Sequence, residues 1–445
     1  MPVSAACLII GTSNTVRRDG YPSLLRALRP DLDLRVAGVG ATPSVLLPYV
    51  LAETCLDGVS HVVVDTLVND AARAADPAMD EILEGMLFES LDWLLAGRRG
   101  VIVLLLPQSN AAGVAPALRA RRLAFCRDRG IPVLDAVSLA EVLVRDHRFP
   151  SELVLDDPQH IAWPLRLIVA ERLAAAIQAV PGDASAPLPA TPYRVVPAAG
   201  APEGEWVERS TSLVSKRYLR VTPRSAASFD PGGEAALLGI AMNGAACLGD
   251  LVISSGTEER RDSPSRAFVS DPGERTIVHV VTSLAPAVIG RCFALRAEEE
   301  GGVDTEPSVE VEAAVFRLDG PPPPRAAWPA VSAEEASPPA AASALSPHEA
   351  ALARAALLSG RASASIPGAA RAFRRLIVHA PVPVWSLEAG AAAKTLAALG
   401  VAVGDDRGAE RLLRQAAHAA RSAGRHMPRA AGEDGRPERT VTPAG

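Results

Sequence analysis

Three side chains are of the types and in the places that acyl transfer requires: Ser13 near the start of the chain, and Asp157 and His160, three residues apart, far downstream. Ser13 lies in CLIIGTSNT, where an apolar run ends, Gly11 permits a tight turn and a hydroxyl follows at once. At the carboxyl edge of a parallel sheet, such a turn presents both the Ser13 hydroxyl and its own N–H. A serine there is often only a turn or cap residue, so the second motif, LDDPQHIAW, carries more weight. A histidine above the sheet accepts the serine proton, and a carboxylate fixes the imidazole tautomer and stabilises its cation. Asp157 suits that role because the three-residue spacing lets the chain fold back onto His160; Asp156 competes for it.

Two further segments supply donors for an oxyanion. AGVGATP contains Gly40, with an unobstructed backbone N–H, and DTLVND contains Asn69, with a side-chain amide. With the Ser13 N–H they make three donors from the ends of the first three strands. Losing one such donor typically costs about 3 kcal/mol of transition-state stabilisation. Taken singly, Gly40 reads equally well as a bend, and Asn69 with Asp70 as a polar turn. Asn14, Arg17 and Arg18 follow the nucleophile and are candidate substrate contacts. The arginines are read either as solvated residues before a helix or as a guanidinium fork for a carboxylate or phosphate. GVG is not a dinucleotide fingerprint, because the third glycine position is Pro43. His61, His147, His279 and His379 show no metal-ligand spacing. Neither a cofactor nor a metal is expected.

These four segments, in this order, resemble the blocks of the SGNH/GDSL hydrolase superfamily. GTSN resembles the first block with Ser13 as nucleophile, and GVGAT the second with Gly40. LVND resembles the third with Asn69, and Asp157-Pro158-Gln159-His160 the last. The resemblance covers about residues 5–180 and implies a three-layer flavodoxin-like α/β fold with a parallel sheet. It implies a serine esterase acting through an acyl-enzyme on small-molecule or carbohydrate O-acyl groups, O-acetyl foremost. Thr12 replaces the family's acidic residue before the nucleophile, and Leu67 replaces the glycine two before the block-three asparagine. Both mark a divergent site. An O-acyltransferase using the same triad and a non-catalytic interaction protein retaining the fold are the alternatives.

Positioning these groups requires alternating strands and helices. Strand candidates are 5–10, 34–37, 61–65, 101–106 and 131–134; helix candidates are 21–28, 44–55, 79–95, 116–129 and 162–177. That alternation predicts a parallel sheet covered on both faces. The SGNH-like domain spans 1–180, followed by a Pro/Ala/Gly-rich linker at 181–205. Residues 206–320 predict a small β-sandwich-like domain, with strands at 235–240, 250–254, 267–269, 276–283 and 308–318. Val309, Val311, Ala313 and Val315 keep period two. A second linker (321–346), a helical C-terminal region (347–424) and a flexible tail (425–445) complete the chain.

At 445 residues the chain is too long for one core, and 48% apolar content excludes general disorder. A net charge of −6 and the absence of a basic block with interleaved aromatics argue against nucleic acid. No stretch reads as a membrane span or signal peptide. The five cysteines form no CxxC pair and are expected to be buried reduced thiols. A cytoplasmic location and a small-molecule or glycan ester substrate are expected, with the C-terminal domains available to a protein partner.

Overall fold

The computed structural model describes residues 6–109, 115–147, 149, 151, 154–200, 204–210, 215–264, 277–298, 307–324, 344–346 and 349–350. Met1–Leu345 forms one compact unit and Ser346–Gly445 a second. The strand expected at 267–269, most of the second linker, nearly all of the helical region at 347–424 and the tail at 425–445 lie outside the described residues.

Strands β1 (Ala6–Gly11), β2 (Asp33–Gly38), β3 (Val59–Asp65), β4 (Gly100–Leu105) and β5 (Val133–Asp135) form one parallel sheet, ordered β2-β1-β3-β4-β5. β1, β3 and β4 are buried along their whole length. Their unbroken apolar runs follow from burial on both faces, since helices pack over the sheet. The helices are α1 (Ser13–Val16), α2 (Tyr21–Leu28), α3 (Leu46–Glu53), α4 (Leu67–Arg73), α5 (Pro77–Ala96), α6 (Ala115–Asp128), α7 (Ala136–Arg145) and α8 (Trp163–Ala179). This is the expected flavodoxin-like layered architecture. DTLVND, however, is no polar turn: it opens α4, with Thr66 as N-cap and Asn69 in the first turn. Between α7 and α8, β6 (Leu155–Asp157) and β7 (His160–Ile161) form a small antiparallel pair.

The rest of the described chain is antiparallel. Its strands are β8 (Tyr193–Pro197), β9 (Ala199–Gly200), β10 (Glu205–Ser210), β11 (Ser215–Val221), β12 (Ala227–Phe229), β13 (Ala235–Asn243), β14 (Asp250–Ser255), β15 (Glu258–Asp262), β16 (His279–Gly290), β17 (Phe293–Glu298) and β18 (Val309–Leu318). One sheet runs β10-β11-β18-β13-β16, with β8 also on β18; the other runs β15-β14-β17-β12-β9. The stretch 181–205, read as a linker, thus contributes β8 and β9. Pro and Ala do not prevent β8 from pairing because, among the described residues, its only ladder partner is β18.

A bulge redirects β18. Ala241 of β13 pairs with Ala313, and Met242 with Val311, so Glu312 is the extra residue. The single face expected for Val309, Val311, Ala313 and Val315 is therefore split. Val309 and Val311 enter the sandwich core together with Ala314 and Phe316. Ala313 and Val315 instead join the core of the α/β domain. β13 is divided in the same way: Leu237 and Ile240 face the sandwich core, while Leu238 and Ala241 face the α/β side. The two domains consequently share apolar packing, with α3 and α5 against the six-stranded sheet. Arg317 and Glu89 pair across this contact at 2.8 Å. Cys7, Cys126 and Cys247 are buried and all five thiols are free; contrary to expectation, Cys55 and Cys292 are exposed.

Candidate active site

β1 delivers the nucleophile loop through a glycine that sterics demand. A Cβ on Gly11 would lie 2.0 Å from Thr15 Oγ1. α1 begins directly at Ser13, and Thr12 O accepts the N–H groups of Thr15 (2.9 Å) and Val16 (3.1 Å). As the first helical residue, Ser13 has an N–H with no intrahelical acceptor. The Thr12 hydroxyl, which stands where the family pattern has a carboxylate, is buried with no hydrogen-bond partner among the described residues.

The β6–β7 turn carries the candidate base, His160. His160 Nδ1 lies 2.8 Å from Asp157 Oδ1 and 2.7 Å from Oδ2. Asp157 Oδ1 also accepts the backbone N–H groups of Gln159 (2.9 Å) and His160 (3.0 Å). Burial alone would raise the Asp157 pKa. Those backbone donors and the His160 ring outweigh it, and the carboxyl sits below its ordinary value. With Nδ1 engaged, Nε2 is the ring nitrogen left for a proton acceptor's role. The Asp157 side chain is 45% exposed and that of His160 22%, so this pair is more open to water than the buried carboxylate of a chymotrypsin-like triad.

The Asn14 and Arg17 side chains, candidate substrate contacts, bond to other parts of the protein. The Asn14 amide is buried and bridges to the base loop, donating from Nδ2 to Gln159 O (2.8 Å) and accepting at Oδ1 from Ile161 N–H (3.0 Å). It therefore grips the backbone on both sides of His160. Arg17 pairs with Asp156 (3.2 Å) and Asp19 (3.5 Å). Arg166 of α8 binds Asp156 as well, reaches Asp19 Oδ2 at 2.6 Å and donates to Ile161 O at 2.6 Å. Asp156 is thus committed to two guanidinium groups, and Asp157 alone of the two carboxylates bonds to the imidazole. Arg18 is exposed and makes no ion pair among the described residues. α1, which begins at Ser13, packs against β7, the strand that begins at His160. The Ser13 hydroxyl makes no hydrogen bond with any described residue; such contacts tighten in substrate complexes.

The candidate oxyanion donors lie after β2 and in the first turn of α4. Gly40 faces open space, since an added Cβ would meet nothing within 4 Å. Asn69 is buried; its Nδ2 donates to Thr42 O at 3.2 Å and carries a second hydrogen. Ser44 binds Asp70 twice, through its N–H (2.6 Å) and its hydroxyl (2.5 Å). Arg122, buried on α6, pairs with the same carboxylate and donates to Thr66 Oγ1 at 3.3 Å. Thr42, Ser44, Arg122, Asp19 and Arg166 were invisible to motif reading, because each acts through a partner remote in sequence. Asp70 was visible only as the polar neighbour of Asn69.

No protein-family model matches this chain, and no curated protein matches it. Solved structures do. A two-domain esterase (CEX) active on acetylated mannans superposes with a TM-score of 0.50 at 13% identity, covering 71% of this chain and 91% of the other. The same kind of esterase co-crystallised with mannopentaose gives 0.49 at 12% identity, with 71% and 92% covered. A structure assigned to the G-D-S-L family of lipolytic proteins, from Desulfitobacterium hafniense DCB-2, gives 0.33 at 16% identity, with 39% and 99% covered. The fold of the described residues is thus similar to that of a two-domain esterase.

Proposed function

We propose that this protein is an SGNH/GDSL-type serine esterase that removes acyl groups, acetyl foremost, from carbohydrate or small-molecule hydroxyls. The observation that carries the reading is the Asp157–His160 pair gripped beside α1 by the Asn14 amide. The likeness in fold to an esterase active on acetylated mannans supports the substrate class.

In this reading Ser13 Oγ attacks the ester carbonyl while His160 Nε2 takes its proton. Asp157 holds the Nδ1–H tautomer and stabilises the imidazolium. The tetrahedral oxyanion receives hydrogen bonds from the N–H groups of Ser13 and Gly40 and from the free hydrogen of Asn69 Nδ2. Protonated His160 then gives its proton to the departing sugar oxygen. Water, deprotonated by the same ring, attacks the acyl-enzyme and releases acetate.

Burst kinetics on an activated acetyl ester test the reading. The unmodified protein is expected to show a burst stoichiometric with Ser13, absent in Ser13→Ala, and to release acetate from acetylated manno-oligosaccharides. A protein whose Ser13 is acylated by no activated ester and labelled by no fluorophosphonate is not this enzyme. Addition of sugar acceptors separates hydrolysis from transfer: diversion of the acyl group from free acid to the sugar marks a transferase.

A further inference from the structure

The loop that carries Gly40 makes a buried contact with the β domain. Three hydrogen bonds meet at Thr42, which is 0% exposed. Its hydroxyl donates to Gly40 O (3.2 Å) and accepts the Val281 N–H of β16 (3.0 Å), while its carbonyl accepts Asn69 Nδ2 (3.2 Å). One buried threonine therefore bonds to both residues that offer non-nucleophile donors, and to the other domain. We propose that Thr42 is a positioning residue through which β16 sets the oxyanion hole, so that the β domain is part of the catalytic apparatus. The inference rests on the esterase reading above.

Independent features of the loop agree. Ala41, between Gly40 and Thr42, has φ of 56°, a left-handed conformation that a residue with a Cβ holds only when its surroundings enforce it. Those surroundings come from the β domain, because Ala41 packs against the sandwich core. β16 lies at the edge of its sheet and pairs only with β13, which leaves the Val281 N–H free of the ladder to serve Thr42. Gly239 of β13 allows the close approach: a Cβ there would lie 2.4 Å from Thr282 O and 2.9 Å from Val45 Cγ2. Past Thr42 the loop is anchored within the α/β domain by Ser44 on Asp70. The direction in which the Gly40 N–H points is therefore decided between these two attachments.

A purely structural threonine and a positioning threonine predict different kinetics. Thr42→Val keeps the shape and removes both hydroxyl bonds; Thr42→Ser keeps the hydroxyl. Val281→Pro deletes the donor on an edge where no ladder bond is lost. On an activated acetyl ester, Thr42→Val and Val281→Pro are each expected to lower kcat by about 10- to 100-fold, less than outright loss of a donor. KM should stay within about twofold, and Thr42→Ser should recover most of kcat. Hydrogen exchange at residues 39–44 is expected to accelerate in Thr42→Val while the sheet amides keep their protection. Unchanged kcat in Thr42→Val or in Val281→Pro, with only the melting temperature lowered, overturns the inference and leaves the esterase reading standing. Absence of Ser13 acylation in the unmodified protein overturns both. Should Thr42→Val fail to fold, Val281→Pro and Thr42→Ser decide alone.

Discussion

The two walls of the candidate site are held by different physics. On the nucleophile–base side, Asp157 and His160 remain partly open to water, and around them Asn14, Arg17, Asp19, Asp156 and Arg166 form a lattice of hydrogen bonds and ion pairs. On the oxyanion side, Thr42, Ser44, Thr66, Asp70 and Arg122 are all buried, and the β domain closes the loop from behind. The contrast suits the roles proposed above for the two walls. A base changes charge during turnover and benefits from access to water. Oxyanion donors act through fixed dipoles that are strongest where water is excluded and nothing needs to reorganise.

The largest expected asymmetry lies in activity without loss of stability. Asp157→Ala should reduce kcat by about 10⁴-fold, as loss of the orienting carboxylate does in serine triads. Because that carboxylate is half-exposed, the denaturation midpoint should barely move. Asp70→Ala reverses the pattern. It leaves the buried Arg122 guanidinium without its carboxylate, and urea denaturation should show a loss of about 3–5 kcal/mol. If both variants lose stability equally, the division between a solvated wall and a buried wall is wrong.

Asn14→Ala probes how firmly the base loop is held. It orphans Gln159 O and Ile161 N, which should cost about 1–3 kcal/mol of stability. If Asn14 instead contacted substrate, KM would rise with stability unchanged.

The remaining effects are pH-dependent, and two buried groups give them opposite signs. Burial pushes the Asp65 carboxyl up to about 7, from an ordinary 3.8, against the lowering effects of the Thr15 hydroxyl and Arg122. Its proton is held more tightly folded than unfolded, so its contribution is complete below about 3.8 and lost as pH rises through about 7. Burial drives His279 the other way, to about 4 from 6.5, with Glu312 opposing and Lys216 assisting. Its contribution is complete above 6.5 and lost as pH falls through about 4. Melting curves should therefore show Asp65→Asn gaining stability over the parent at pH 8 relative to pH 4. His279→Asn should lose less than the parent on acidification from pH 7 to pH 4.5.

Much of the α/β domain was legible because its signals are local. Unbroken apolar runs mark doubly covered strands, and Asp157 and His160 sit three residues apart, close enough for the turn itself to join them. The β domain resisted for equally concrete reasons. The bulge at Glu312 breaks the period-two pattern of β18, and residues 181–205 form strands only because β12 and β18 are there to receive them. Asn14 and Arg17 follow Ser13 in sequence, and their side chains bond to the loop that carries Asp156 and His160. Partners more than a hundred residues away leave no trace in local spacing.

The sequence by itself determined the order of strands and helices around Ser13 and the short loop that sets Asp157 against His160, since backbone sterics and burial periodicity act over a few residues. Only the tertiary structure decided which arginines are locked in ion pairs, and that an edge strand of a second domain bonds to the loop carrying Gly40. Those outcomes depend on which distant backbone groups are left unsatisfied once the two cores have packed, and each such group takes the partner that packing brings within reach.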